Sequence, residues 1–117
     1  MLNSRFFERS EFECGCGCGF ATVDAELLEV LGNARVFFNK PITINSASRC
    51  ISHNHSVGGS PNSKHLQGIA CDIVVQDFEP EAVQRYFHGK YSTKYGIGSY
   101  SEFTHLDVRA DKARWVG

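Results

Sequence analysis

Two histidines and one aspartate give the first chemical signal in this chain. His65 and Asp72 stand seven residues apart in Ser63-Lys-His-Leu-Gln-Gly-Ile-Ala-Cys-Asp72, and His105 follows in Glu102-Phe-Thr-His-Leu-Asp107. Two imidazoles, a carboxylate and an open fourth position can hold a zinc ion and activate water. Two nitrogens and one oxygen suit zinc, although cobalt or manganese can occupy such a set in vitro. A lone histidine is more often a surface group than a ligand. Here, though, Gly68 lets the backbone turn sharply after His65, and small Ala70 leaves room beside a metal.

These side chains need elements to bring them together. Residues 69–75 read as a strand, on which Asp72 shares a face with Ala70 and Val74. Residues 95–100 and 103–109 read as two more strands joined by a tight turn. On the second, His105 and Asp107 share a face. If that strand neighbours 69–75, Asp72 and His105 converge, and His65 reaches over from the loop before. Ile42-Thr-Ile-Asn45 is short and β-branched, so it is a further strand.

Val23, Leu27, Val30, Leu31, Ala34, Phe37 and Phe38 recur at helical spacing. Thr22 is the expected N-cap, Asn39-Lys40-Pro41 the stop, and Gly32 a local weakness. Residues 79–87 predict a short helix with Pro80 in its first turn and Gly89 past its end. Residues 1–21 predict an irregular wrap. Segment 46–64 is rich in Ser, Asn and Gly. A loop of that length is usually functional, and this one is expected to shape a cleft leading to His65. The expected fold class is α+β: a small, mostly antiparallel sheet with helices packed on one side.

A length of 117 residues predicts one domain over 1–117, and 42% hydrophobic residues fit a globular fold. A net charge of -1 gives no footprint for nucleic acid or an anionic membrane. No apolar run reaches the length of a membrane span. Neither nucleic acid nor membrane is therefore expected as a partner, and a monomer is expected. The N-terminus is too charged for a signal peptide.

Of the five cysteines, Cys14, Cys16 and Cys18 are too close together to bridge one another without strain. Free thiols, one disulfide, and a second metal site with Cys50 all stay open as readings. The usual zinc spacing has two residues between cysteines rather than one. Cys71 is expected to face the core, away from Asp72. His53 and His55 suit loop or substrate-side roles, and His88 is expected to be a helix-end residue without chemistry.

Ser63-x-His65-x-x-Gly68-x-Ala70-x-Asp72 followed by His105 resembles the zinc peptidases of the D-alanyl-D-alanine carboxypeptidase type, which share a fold with the hedgehog signalling domain. Upstream, Ser46-Ala-Ser-Arg-Cys50 and His53-Asn-x-x-Val-Gly-Gly59 resemble phage and prophage members of that group. The resemblance runs over residues 12 to 115. It implies a hedgehog/DD-peptidase-like fold, Zn2+ as cofactor, and His65, Asp72 and His105 as its ligands. Arg49 would hold a substrate carboxylate or carbonyl. Glu102, three residues before His105, would be the general base, whereas plain strand alternation favours Asp107 for that role. A bend or bulge between Glu102 and His105 would bring Glu102 round, and Asp107 would then accept from an imidazole and fix its tautomer. The implied partners are bacterial peptidoglycan stem peptides containing D-amino acids, hydrolysed at an amide bond by an endopeptidase or a carboxypeptidase. A phage enzyme of this kind would sit in the host cytoplasm before release to the cell wall, or on the virion. The alternative is a zinc-containing binding or structural virion module without catalysis.

Overall fold

The computed structural model describes residues 7, 9–12, 14, 24–47, 51–59 and 63–117, and for 9, 10, 51–53, 66 and 67 the backbone alone. Helix α1 spans Ala25–Phe38. Its N-cap is Asp24 rather than Thr22, which lies outside the described residues. Asp24 Oδ1 accepts the N–H groups of Glu26 (2.8 Å) and Leu27 (3.3 Å), and a carboxylate there also suits the helix dipole. Asn39 ends the helix in the left-handed region at φ 54°. Leu27, Val30, Leu31, Ala34 and Phe38 are buried, but Phe37 is exposed and stacks on Tyr86 instead of joining the core.

Strand β1 is Ile42–Ser46 and helix α2 is Ile51–Ser56. A 3-10 turn at Lys64–Gln67 leads into β2, Ala70–Val75. Helix α3, Pro80–Lys90, starts at its proline as expected but runs through Gly89 and ends only at Tyr91. Strands β3 (Gly96–Ser99), β4 (Thr104–Asp107) and β5 (Ala113–Val116) follow. The fold is α+β, with a five-stranded sheet in the order β1-β2-β4-β3-β5. Among the described residues every pairing is antiparallel except β3 with β5.

Strand alternation divides the labour between the two faces of this sheet. Cys71, Ile73, Val75, Ile97 and Leu106 join the buried cluster built with α1 and α3. Cys71 is a free thiol in that core, as expected. Burial and the nearby carboxylates push its pKa well up, so it stays protonated and apolar. Ala70, Asp72, Gly96, Gly98, His105 and Asp107 take the opposite face. Among the described residues no helix is long and apolar enough to cross a membrane.

Candidate metal centre

Asp72 and His105 are direct cross-strand partners of β2 and β4, so their side chains stand next to each other. His65 comes from the 3-10 turn before β2. Ser63 Oγ accepts the His65 N–H (3.2 Å), and Gly68 closes the turn at φ 72°, where a side chain would be strained. The Gly68 carbonyl in turn accepts the Asp24 N–H (2.9 Å), which ties the start of α1 to the ligand turn.

One ligand atom from each of His65, Asp72 and His105 lies within 4.8 Å of the others, and the three residues are buried. His105 Nδ1 is 3.0 Å and His65 Nε2 3.4 Å from Asp72 Oδ1. The far nitrogen of each ring is also held. His65 Nδ1 lies 2.6 Å from the Ala47 carbonyl, which can only accept, so Nδ1 carries the proton and Nε2 presents a lone pair. That carbonyl is placed by a bulge between Ile44 and Ser46, beside Asp72. His105 Nε2 donates to Asp107 Oδ2 at 2.9 Å, which leaves Nδ1 to face Asp72. Two imidazole nitrogens and a carboxylate oxygen converging with fixed tautomers make a donor set that fits zinc.

The electrostatics agree with this. Burial acts to raise the Asp72 carboxyl, but bonds from His105 and His65 outweigh it and bring it to about 2. For His105, burial acts downward, and the Asp107 and Asp72 carboxylates more than reverse it. Burial also opposes the Asp107 charge, yet His105 and Arg109 hold that carboxyl well below the usual range.

Asp107 is wholly buried, and all of its acceptor capacity is in use. Oδ2 takes His105 Nε2 and Arg109 Nη2; Oδ1 takes the Nε and the backbone N–H of Arg109. A carboxylate has about four lone-pair sites, so none is left for water. Asp107 thus shares the face of His105, as strand alternation expects, and its carboxylate is engaged by the His105 ring and Arg109. Glu102 is exposed in the bend at 101–102, between β3 and β4. The β2–β4 register is regular from Thr104 onward, so the bend, not a bulge, sets where Glu102 stands. It is not among the residues that line the cleft.

Over the ligands opens a cleft of about 710 Å³. One wall is Val57, Gly58, Gly59, Ser63 and Lys64, from the segment expected to shape it. The other is Tyr100, Phe103, Arg109 and Trp115. Tyr100 and Phe103 stack at 4.4 Å, and Trp115 Nε1 donates to the Tyr100 hydroxyl (3.0 Å), leaving the phenol proton for a cleft partner. Arg49 and the side chain of His53 lie outside the described residues, as do Cys16, Cys18 and Cys50. His55 is exposed on α2, and His88 on α3 accepts from Arg114 Nε (3.1 Å), away from the ligands.

Sequence reasoning missed Arg109, Trp115 and two glycines of β3. Gly96 and Gly98 are the β3 partners of Asp107 and His105. A β-carbon at Gly96 would fall on the Asp107 carboxylate, and one at Gly98 would lie 2.6 Å from Trp115 Nε1. The Gly-x-Gly alternation before the Glu102–Asp107 segment was the available signal. Gly96→Ala should therefore displace Asp107 and destabilise the fold by about 1–3 kcal/mol, the usual range for overpacking. Denaturant unfolding checks this, and an unchanged midpoint would mean that the carboxylate moves aside freely.

A buried two-histidine, one-carboxylate set beneath an open cleft is the arrangement of a metal-dependent hydrolase. The chain belongs to the peptidase M15 family, which it matches over residues 5–107. It is also 46% identical over 35 residues to the zinc D-Ala-D-Ala carboxypeptidase of Streptomyces albus G. That stretch covers 30% of this chain and 14% of the relative, so the likeness is to a short part of a longer protein.

Proposed function

We propose that this chain is a zinc-dependent peptidase that hydrolyses amide bonds in D-amino-acid-containing stem peptides or cross-links of bacterial peptidoglycan. The observation that carries the reading is the His65–Asp72–His105 set, with both outer imidazole nitrogens already held. Membership of a peptidase family supports it, as does the short match to a zinc carboxypeptidase. A setting in phage lysis belongs to the same proposal and rests on the phage-like Ser46–Cys50 segment.

His65 Nε2, Asp72 Oδ1 and His105 Nδ1 would hold the zinc, which when bound supplies Lewis acidity toward a carbonyl and an acidified water. Glu102 is the proposed general base. It is exposed and lies in sequence between Tyr100 and Phe103, two residues that line the cleft. A carboxylate oxygen of Glu102 would take the proton of the attacking water and return it to the leaving amine. Arg49 is proposed to hold a substrate carboxylate or carbonyl, as the resemblance implies. The aromatic wall and Lys64 would exclude water from one side of the peptide and steady it on the other.

The test is digestion of purified sacculi by the zinc-loaded protein, with and without chelator, read by fragment mass. Loss of single terminal D-alanines would mark a carboxypeptidase; conversion of cross-linked dimers to monomers would mark an endopeptidase. Either product, abolished by chelator and restored by zinc, is the expected result. Sacculi left intact by zinc-loaded protein would overturn the reading.

A further inference from the structure

Asp107 is a charge with no access to water, and burying a carboxylate costs several kcal/mol unless it is paired with good geometry. The pairing comes from two residues along the chain, where Arg109 regains the same side. Its Nε and Nη2 each lie 2.7 Å from one oxygen of Asp107, a two-pronged contact that a lysine cannot reproduce. The guanidinium is steadied in turn: its Cζ lies 5.4 Å from the ring centroid of Trp115. Trp115 is seated across Gly98 and anchored to the Tyr100 hydroxyl. Contact thus runs from Trp115 through Arg109 and Asp107 to His105, and the Trp115 ring also meets the His105 ring directly, with centroids 5.0 Å apart. An imidazole can turn over and exchange its two nitrogens. The orientation seen here is set by where Asp107 Oδ2 points, and Arg109 sets that.

We infer that Arg109 is a positioning residue for the metal ligand His105, acting through Asp107 to keep Nδ1 turned toward Asp72 and His65. This rests on the reading of His105 as a zinc ligand. Arg109 also lines the cleft, so a direct contact with substrate is the competing explanation, and the two differ in what they do to zinc. Loss of a partner behind a metal-bound histidine typically weakens metal binding or activity by about ten- to a hundred-fold. Loss of a substrate contact leaves zinc affinity alone and raises KM.

The experiment measures zinc affinity by chelator competition, and kcat and KM on soluble stem peptides. It uses the wild type, Arg109→Lys, Arg109→Met, Asp107→Asn and the Asp107→Asn/Arg109→Met double variant. Both Arg109 variants are expected to bind zinc about ten- to a hundred-fold more weakly and, at saturating zinc, to lose kcat with KM unmoved. In the Asp107→Asn background, Arg109→Met should add little, because its route to His105 is already cut. If Arg109→Met does not fold, Arg109→Lys carries the test, since it keeps the charge and loses only the two-pronged contact. Wild-type zinc affinity with raised KM in the Arg109 variants overturns the inference in favour of substrate contact. Lowered melting with unchanged zinc affinity overturns it in favour of a structural role alone. Full additivity in the double variant overturns the route through Asp107. A wild type that binds no zinc overturns the ligand reading itself, a failure seen before any variant is compared.

Discussion

His65→Ala is expected to remove zinc from the protein and peptide hydrolysis with it. Among the described residues three side chains converge at the centre, so deleting one imidazole leaves an Asp72–His105 pair that cannot fix a tetrahedral ion. A metal contributes several kcal/mol of transition-state stabilisation, and each 1.36 kcal/mol is a factor of ten in rate. The expected loss is therefore about a thousand-fold or more. Asp72→Ala and His105→Ala should behave alike, although His105→Ala also strands the buried Asp107 carboxylate on Arg109 alone. Elemental analysis of purified protein, paired with rates on wall peptides, reads both effects. Full zinc occupancy in His65→Ala would remove this residue from the ligand set.

The second large effect is expected at Glu102. Glu102→Gln should lose about a hundred-fold or more in kcat while keeping its zinc, as befits a proton acceptor that does not touch the metal. Its position in the bend at 101–102 makes folding insensitive to the change. Asp107→Asn should show the opposite pattern. An amide offers a donor on one side, and both oxygens of Asp107 now accept, so His105 or Arg109 would meet an N–H instead of a lone pair. Zinc affinity should fall there before turnover at saturating metal does. If Glu102→Gln remains active while Asp107→Asn keeps its metal and loses its rate, the base is Asp107 and the argument from filled lone pairs fails.

The three candidate ligands were legible in the sequence because the signals that place them are local. A period of two sets the faces of β2 and β4, and Gly68 marks the turn that carries His65 over. Pairing of Asp72 with His105 needed only that two strands be neighbours. What the sequence did not reveal depends on contacts made at a distance. Strand β5 is four residues, Ala-Arg-Trp-Val, with no alternation, and it pairs in parallel with β3, so nothing nearby announces it. Helix α2 is Ile-Ser-His-Asn-His-Ser, six residues of middling helix formers and too short for periodicity to show. Gly89 looked like a stop, yet α3 continues one residue beyond it because packing of Val83 and Phe87 outweighs one unfavourable residue. The pairing of Arg109 with Asp107 was hidden for a related reason: nothing in the sequence shows that four donor contacts fill the Asp107 carboxylate.

The strand order has a consequence for how the protein is made. Strand β4, synthesised after β1, β2 and β3, lies in the middle of the sheet, between β2 and β3. A nascent chain that has emerged only as far as α3 can pair β1 with β2, but the other edge of Ala70–Val75 stays open. That edge is a largely apolar strand with unpaired backbone groups, the kind of template on which chains associate wrongly. Insertion of residues 104–107 closes it, and the same event brings His105 to Asp72. Escape from aggregation and assembly of the chemical face are thus one step, so variants that slow β4 docking should lose soluble yield and activity together.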